Sequence, residues 1–149
     1  MYDSNVEIAI NATPERVWEL VTDISEYQEM LSGVTEVEQL DSLPEFGVGT
    51  KWRETRKMFG KEATEEMTVT AMEPGASYTT EAASHGAKYV SVISIVATES
   101  GCTLGMSFRG EPTNIFASIM AKTVGRLFEG VTRNALQKDL DEIAAAATT

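Results

Sequence analysis

The run Trp52-Arg53-Glu54-Thr55-Arg56-Lys57-Met58-Phe59-Gly60-Lys61-Glu62-Ala63-Thr64-Glu65-Glu66-Met67 decides how this chain folds. Two stretches of alternating character flank Phe59-Gly60, the pattern of two antiparallel strands joined by a tight turn. If Met58 pairs with Lys61, then Lys57 stands opposite Glu62, Thr55 opposite Thr64 and Arg53 opposite Glu66. That face carries two opposite-charge pairs and a Thr–Thr pair, as a solvated surface does. The other face sets Trp52 opposite Met67, Glu54 opposite Glu65 and Arg56 opposite Ala63. Trp52 and Met67 belong in a core, so this second face points inward and takes Glu54, Arg56 and Glu65 with it. Two carboxylates opposed across a hairpin repel unless a cation lies between them. Arg56 is two residues from Glu54 and diagonal to Glu65, within reach of both.

Working outward from this hairpin, the pattern predicts strands at about Val34–Leu40, Thr50–Met58, Lys61–Met72, Ser77–Ser84, Ala87–Thr98 and Thr103–Arg109. Short breaks such as Glu73-Pro74-Gly75, His85-Gly86 and Glu99-Ser100-Gly101 make neighbours in sequence antiparallel neighbours in the sheet. The His85-Gly86 break pairs Ser84 with Ala87, Ala82 with Tyr89, Thr80 with Ser91 and Tyr78 with Ile93. Extended across Glu99-Ser100-Gly101, the same face sets Ile95 near Met106 and Ile93 near Phe108. Aromatic, aliphatic and small hydroxyl side chains mix there, as in a pocket wall. Upstream, Val6, Ile8 and Ile10 alternate with polar neighbours as a first strand. Thr13 then caps a helix that Pro14 opens, with Val17, Trp18, Leu20 and Val21 on its apolar face. A second short helix spans about Ile24 to Leu31, ended by Gly33. Downstream, Pro112-Thr113 opens a helix to about Ala144, beyond which the tail to Thr149 is expected to fray. Its apolar residues include Phe116, Met120, Val124, Phe128, Leu136, Leu140 and Ile143, and Gly125 and Gly130 lie within it. The expected fold is α+β: a curved seven-stranded antiparallel sheet wrapped around the long C-terminal helix, with two short helices after the first strand.

A chain of 149 residues is near the commonest size for one domain, and with no Gly-, Ser- or Pro-rich linker a single domain over 1–149 is expected. Acidic residues outnumber basic ones 23 to 12, for a net charge of −11. That balance argues against nucleic acid or an anionic lipid surface as the main partner. No apolar run approaches the ~20 residues of a membrane span, so no membrane insertion is expected. The N-terminus lacks a basic segment followed by an apolar one, and Cys102 is alone, which together suggest a cytoplasmic protein. One histidine, His85, and one cysteine do not make a typical zinc site. A serine triad would need His85, which is expected at a turn tip or at a cavity mouth, and no nucleophile elbow is present. Gly47-Val48-Gly49 precedes a strand and is no phosphate loop.

Several local motifs then carry a resemblance. Ile10-Asn11-Ala12-Thr13-Pro14-Glu15-Arg16-Val17-Trp18-Glu19-Leu20-Val21-Thr22-Asp23, Gly47-Val48-Gly49-Thr50-Lys51-Trp52 and the ending Phe128-Glu129-Gly130 to Leu140 resemble the START/Bet v 1-like (SRPBCC) superfamily. Within it the chain is similar to the polyketide cyclase/dehydrase and lipid-transport group, and Trp52 to Lys61 resembles bacterial members. The resemblance implies a helix-grip fold with a ligand cavity between sheet and last helix. It implies neither a metal nor a nucleotide cofactor.

The expected function is binding or carriage of a small hydrophobic or amphipathic molecule, polyketide-, aromatic- or lipid-like, by a monomer or homodimer. The expected lining is Trp52, Met67, Tyr78, Tyr89, Ile93, Met106, Phe108, Met120, Val124 and Phe128, with Glu54, Arg56 and Glu65 as the polar group. An alternative is a cyclase or dehydratase in which Glu54 or Glu65 is the acid/base and Arg56 holds a carbonyl or enolate oxygen. A third is a co-chaperone or stress-response module that binds other proteins. Against any of these, Glu54, Arg56 and Glu65 can be a self-satisfied ion cluster.

Overall fold

The structure, a computed structural model, describes residues 2–58, 61–84, 87–112 and 115–149, with Tyr2, Met58, Lys61, Ser84, Pro112 and residues 115–129 entering by backbone only. Seven strands form one sheet: β1 Tyr2–Ile10, β2 Val34–Gln39, β3 Lys51–Met58, β4 Lys61–Glu73, β5 Ser77–Ser84, β6 Ala87–Ala97 and β7 Cys102–Pro112. Their order is β1-β7-β6-β5-β4-β3-β2, and every pairing is antiparallel. Two helices follow β1, α1 Pro14–Val21 and α2 Tyr27–Met30, and α3 Ile115–Ala147 closes the chain.

The deciding hairpin has the register its alternation requires. Trp52 faces Met67, Arg53 faces Glu66, Glu54 faces Glu65 and Lys57 faces Glu62. On the outer face Arg53 donates to Glu66 at 2.9 Å and to Glu38 at 3.0 Å, and the Thr55 and Thr64 hydroxyls meet at 2.9 Å. The β5–β6 register is also as expected, with Tyr78 opposite Ile93 and Ala82 opposite Tyr89. The turns at 59–60 and 85–86 lie outside the described residues, as does the expected helix opening at Thr113.

The β6–β7 register differs from expectation by two residues. Ile95 faces Leu104 and Ile93 faces Met106, while Phe108 faces Ser91. The cause is the turn: Thr98 donates its N–H to the Gly101 carbonyl at 2.9 Å, so Ala97 is opposite Cys102. Side chains alternate with period two, so a two-residue shift changes partners and leaves every residue on its face. Gly101 is required where it stands, because a Cβ there would collide with the Ile10 carbonyl oxygen and approach that of Ala12 to 2.9 Å. Register shifts in β4 between Val69 and Ala71, and in β2 between Val34 and Glu36, add local bends that strand alternation alone did not reveal.

Thr13 caps α1 by accepting from the Arg16 N–H at 3.2 Å, and Pro14 occupies the first turn. The second short helix opens as a 3-10 turn, Ile24–Glu26, before α2, and its C-cap is Leu31, ahead of Gly33. Val17 and Val21 of α1, Leu104 of β7 and Leu140 and Ile143 of α3 are wholly or almost wholly buried together. Each such side chain stabilises the fold by roughly 1.5–3 kcal/mol on removal from water. The tail does not fray where expected: α3 runs to Ala147, which packs in the core, because an alanine run keeps helical propensity when one face has something to pack on. A Cβ at Gly130 would touch nothing within 4 Å, so that glycine is not there for close packing.

Candidate functional site

Alternation assigns the concave face residue by residue: Ser4, Val6, Ile8 and Ile10 on β1, Leu104, Met106 and Phe108 on β7, Tyr89, Ser91, Ile93 and Ile95 on β6. Tyr78, Thr80 and Ala82 continue it on β5, Glu65 and Met67 on β4, and Trp52, Glu54 and Arg56 on β3. Burial along this face is uneven. Toward the Glu99–Gly101 turn, Ile10, Ile95, Leu104 and Tyr78 are closed in, the last at 3% exposure. Toward the hairpin tips, Met67, Tyr89, Ile93, Met106 and Phe108 are only half-buried, although small neighbours Ser4, Thr80 and Ala82 are covered. Tyr89 and Phe108 stack there, their rings 5.5 Å apart and 22° from parallel.

The closed end is held by a hydroxyl cluster. Tyr78 donates to the Val21 carbonyl at 3.0 Å, Tyr27 donates to the same carbonyl, and the two hydroxyls lie 2.9 Å apart. That carbonyl ends α1, where the helix leaves its last C=O groups without intrahelical partners. Edge-to-face contacts of Tyr27 with Trp52, and of Tyr78 with Trp18 and Phe46, complete the packing. Burial pushes both phenols well above the usual tyrosine range, in Tyr27 with a further contribution from Tyr78.

The charged group is built differently from the sequence expectation. Arg56 Nε donates to Glu54 Oε2 at 2.6 Å and Arg56 Nη2 to Asp139 Oδ2 at 2.8 Å, while Trp52 Nε1 donates to Glu54 Oε1 at 3.2 Å. Glu54 and Asp139 are each about 5% exposed at the side chain. Burial opposes the guanidinium charge, but Glu54 and Asp139 outweigh it and hold Arg56 firmly protonated. Burial raises the Asp139 carboxyl, and Arg56 offsets part of that rise. The second acid of Arg56 is therefore Asp139 on α3, not Glu65. Arg56 Nη1 lies instead toward Gly33, 3.6 Å from where a Cβ would stand. The sequence did carry a signal for Asp139: it sits with Leu136, Leu140 and Ile143 on one helical stripe.

Of the other expected site residues, Trp52 and Tyr78 lie in the closed core, and Met67, Tyr89, Ile93, Met106 and Phe108 share the half-buried zone. Glu65 is half-buried on the same face, close enough to Tyr89 to add to the rise that burial gives its phenol. The side chains of Met120, Val124 and Phe128, and all of His85, lie outside the described residues. Among the described residues, no group of three His, Cys, Asp or Glu side chains is placed to hold a metal ion. No helix among them is long and apolar enough to cross a membrane.

A seven-stranded antiparallel sheet closed by a C-terminal helix, with short helices after the first strand, defines a START/Bet v 1-like helix-grip protein. Residues 1–148 match the family model described as polyketide cyclase / dehydrase and lipid transport, and the chain belongs to that family. No curated protein matches it by sequence. Among solved structures it is similar to the di-domain ARO/CYC BexL from the BE-7585A biosynthetic pathway, at 15% identity and TM-score 0.79 over 99% of this chain and 50% of that one. It is also similar to the protein TTHA0849 from Thermus thermophilus, at 19% identity and TM-score 0.73 over 98% of this chain and 99% of that one. A third is norcoclaurine synthase from Thalictrum flavum, at 17% identity and TM-score 0.73 over 97% of this chain and 85% of that one. These likenesses concern the fold.

Proposed function

We propose that the chain binds a small hydrophobic or amphipathic molecule in a hollow between the concave sheet and α3. One observation carries this: five large apolar side chains on the inward face, Met67, Tyr89, Ile93, Met106 and Phe108, are left half-buried beside a fully closed core. Apolar surface left uncovered inside a fold costs roughly 25 cal/mol per Å² relative to covering it, which a ligand would recover. Trp52 and Tyr78 close the floor of this hollow. The polar group at its wall is Glu65, with Glu54 and Arg56 behind it tied to Asp139. The family membership supports the same reading.

The test is titration of the purified chain with a neutral aromatic probe, 1-naphthalenemethanol, and with decanol, followed by calorimetry and thermal melting. Saturable one-to-one binding and a rise in Tm are expected; at a hundredfold excess over Kd the stabilisation is about 2.7 kcal/mol. Ile93→Trp, which fills the hollow, should abolish binding and leave the fold. Absence of saturable binding by either probe would refute the proposal.

A cyclase or dehydratase using the same hollow is the second reading. It is favoured by one observation: Glu65 is an inward carboxylate outside the Arg56 ion pairs, the position a general acid or base would take. Loss of turnover in Glu65→Gln with binding retained would support it, and unchanged turnover would exclude that role.

A further inference from the structure

The two ends of α3 are placed by the connections of the chain. β7 ends at Pro112, opposite Ala87 at the half-buried end of the sheet, and α3 begins at Ile115. Its far end packs in the closed core, where Leu140, Ile143 and Ala147 join Ile10, Val17 and Leu104. Two carboxylates one turn apart fasten that far end. Asp139 Oδ2 accepts from Arg56 Nη2 of β3 at 2.8 Å. Glu142 accepts from the Ser32 N–H at 2.9 Å and from the Ser32 hydroxyl at 3.0 Å, in the turn between α2 and β2. The partner of Asp139 is itself fixed from the sheet side. Arg56 Nε donates to Glu54, and Glu54 accepts from the indole of buried Trp52. Trp52, Glu54, Arg56 and Asp139 thus make a bracket from the closed core to the helix, and Glu142 on Ser32 makes a second hold beside it.

A continuous helix carries a small tilt along its length as a rod does. The backbone of α3 about 15 residues before Asp139 lies roughly 22 Å from the bracket, so a tilt of about 5° there moves it by about 2 Å. We infer that the clasp of Asp139 on Arg56 and of Glu142 on Ser32 sets the width of the hollow and so the size of ligand it admits. These four are positioning residues: they act through the angle of α3 and do not touch the ligand. The inference rests on the proposed binding function and deepens it by naming what determines specificity.

Two neutral probes that differ by one fused ring test this: 1-naphthalenemethanol and 9-anthracenemethanol, titrated at pH 7 into the intact chain and into Asp139→Asn, Glu142→Ala and Arg53→Ala. The readout is the ratio of the two affinities, because an unfolded fraction weakens both probes equally and cancels. Asp139→Asn removes the charge that holds Arg56 and keeps the shape of the side chain. Glu142→Ala removes bonds that lie at the surface, so it decides the question if Asp139→Asn does not fold. Arg53 pairs with Glu38 and Glu66 on the outer face, so its variant breaks ion pairs without touching α3. Each clasp variant should raise the ratio in favour of the larger probe by about tenfold, the lower end of what room for one methylene is worth in an apolar pocket. Arg53→Ala should leave the ratio as it is in the parent. A ratio within about twofold of the parent in either folded clasp variant would overturn the inference and leave the binding function standing. So would an equal change in Arg53→Ala, or loss of the fold in both clasp variants, which would make the clasp a matter of stability alone. Binding of neither probe by the parent would overturn the binding function as well.

Discussion

Arg56→Met removes the one cation from a group of two nearly dry carboxylates. Glu54 and Asp139 are each about 5% exposed, and their bonds to Arg56 are 2.6 and 2.8 Å long. At an effective dielectric of about 20, each contact is worth roughly 6 kcal/mol of Coulomb attraction before desolvation is charged against it. Removing one partner of a buried ion group while leaving the others costs about 3–5 kcal/mol. For a chain of this length that corresponds to roughly 6–20 °C in Tm. The loss depends on pH with a definite sign. Burial already raises the Asp139 carboxyl beside Arg56, and without Arg56 nothing offsets that rise above its unfolded value near 4. A group raised in the folded state contributes its stability below the unfolded pKa and loses it as pH rises through the folded one. The gap between Arg56→Met and the parent should therefore be smallest near pH 4 and full by pH 7. Urea melts followed by the fluorescence of Trp18 and Trp52 measure it. A gap below about 1 kcal/mol at pH 7, or one unchanged between pH 4 and pH 7, would refute the reading of these residues as a buried ionic clasp.

Three further outcomes follow from the packing. Tyr78→Phe removes the donor to the Val21 carbonyl and should cost about 1–3 kcal/mol; in the parent, Tyr27 and Tyr78 should resist ionisation until the chain unfolds in alkali, as ultraviolet titration would show. Gly101→Ala drives a methyl into the Ile10 and Ala12 carbonyls and should destabilise by about 1–3 kcal/mol or more, measured by thermal melting. Arg53→Ala, on the exposed outer face, should leave the melting curve nearly unchanged despite its two ion pairs with Glu38 and Glu66.

The parts of this molecule that could be read from sequence are those where neighbouring strands constrain each other locally. Arg53, Lys57, Glu62 and Glu66 cannot be satisfied on the same side as Trp52 and Met67, so the β3–β4 register follows from alternation alone. The β6–β7 turn carried no such constraint: moving the pairing by two residues exchanges Leu104 for Met106 opposite Ile95, and either is an acceptable apolar pair. The Arg56–Asp139 contact joins β3 to α3 across a long stretch of chain, and periodicity on one element says which face Asp139 occupies but not which cation it meets. Glu65 looked like the partner of Arg56 because it is diagonal on the same hairpin. In the fold the guanidinium turns toward Gly33 and α3, away from it. Tyr27 was visible only as packing, since nothing in its neighbourhood announces a hydroxyl bonded to the end of α1.

Reception of a ligand at the half-buried end of the concave face is tested most directly by an amide-resolved NMR titration of isotope-labelled chain with 1-naphthalenemethanol. Saturable shifts should concentrate at Glu65, Met67, Tyr89, Ile93, Met106 and Phe108, with the outward-facing Arg53, Thr64 and Glu66 unmoved. Shifts confined to those outward residues, or no saturable shift at all, would contradict ligand binding in the hollow.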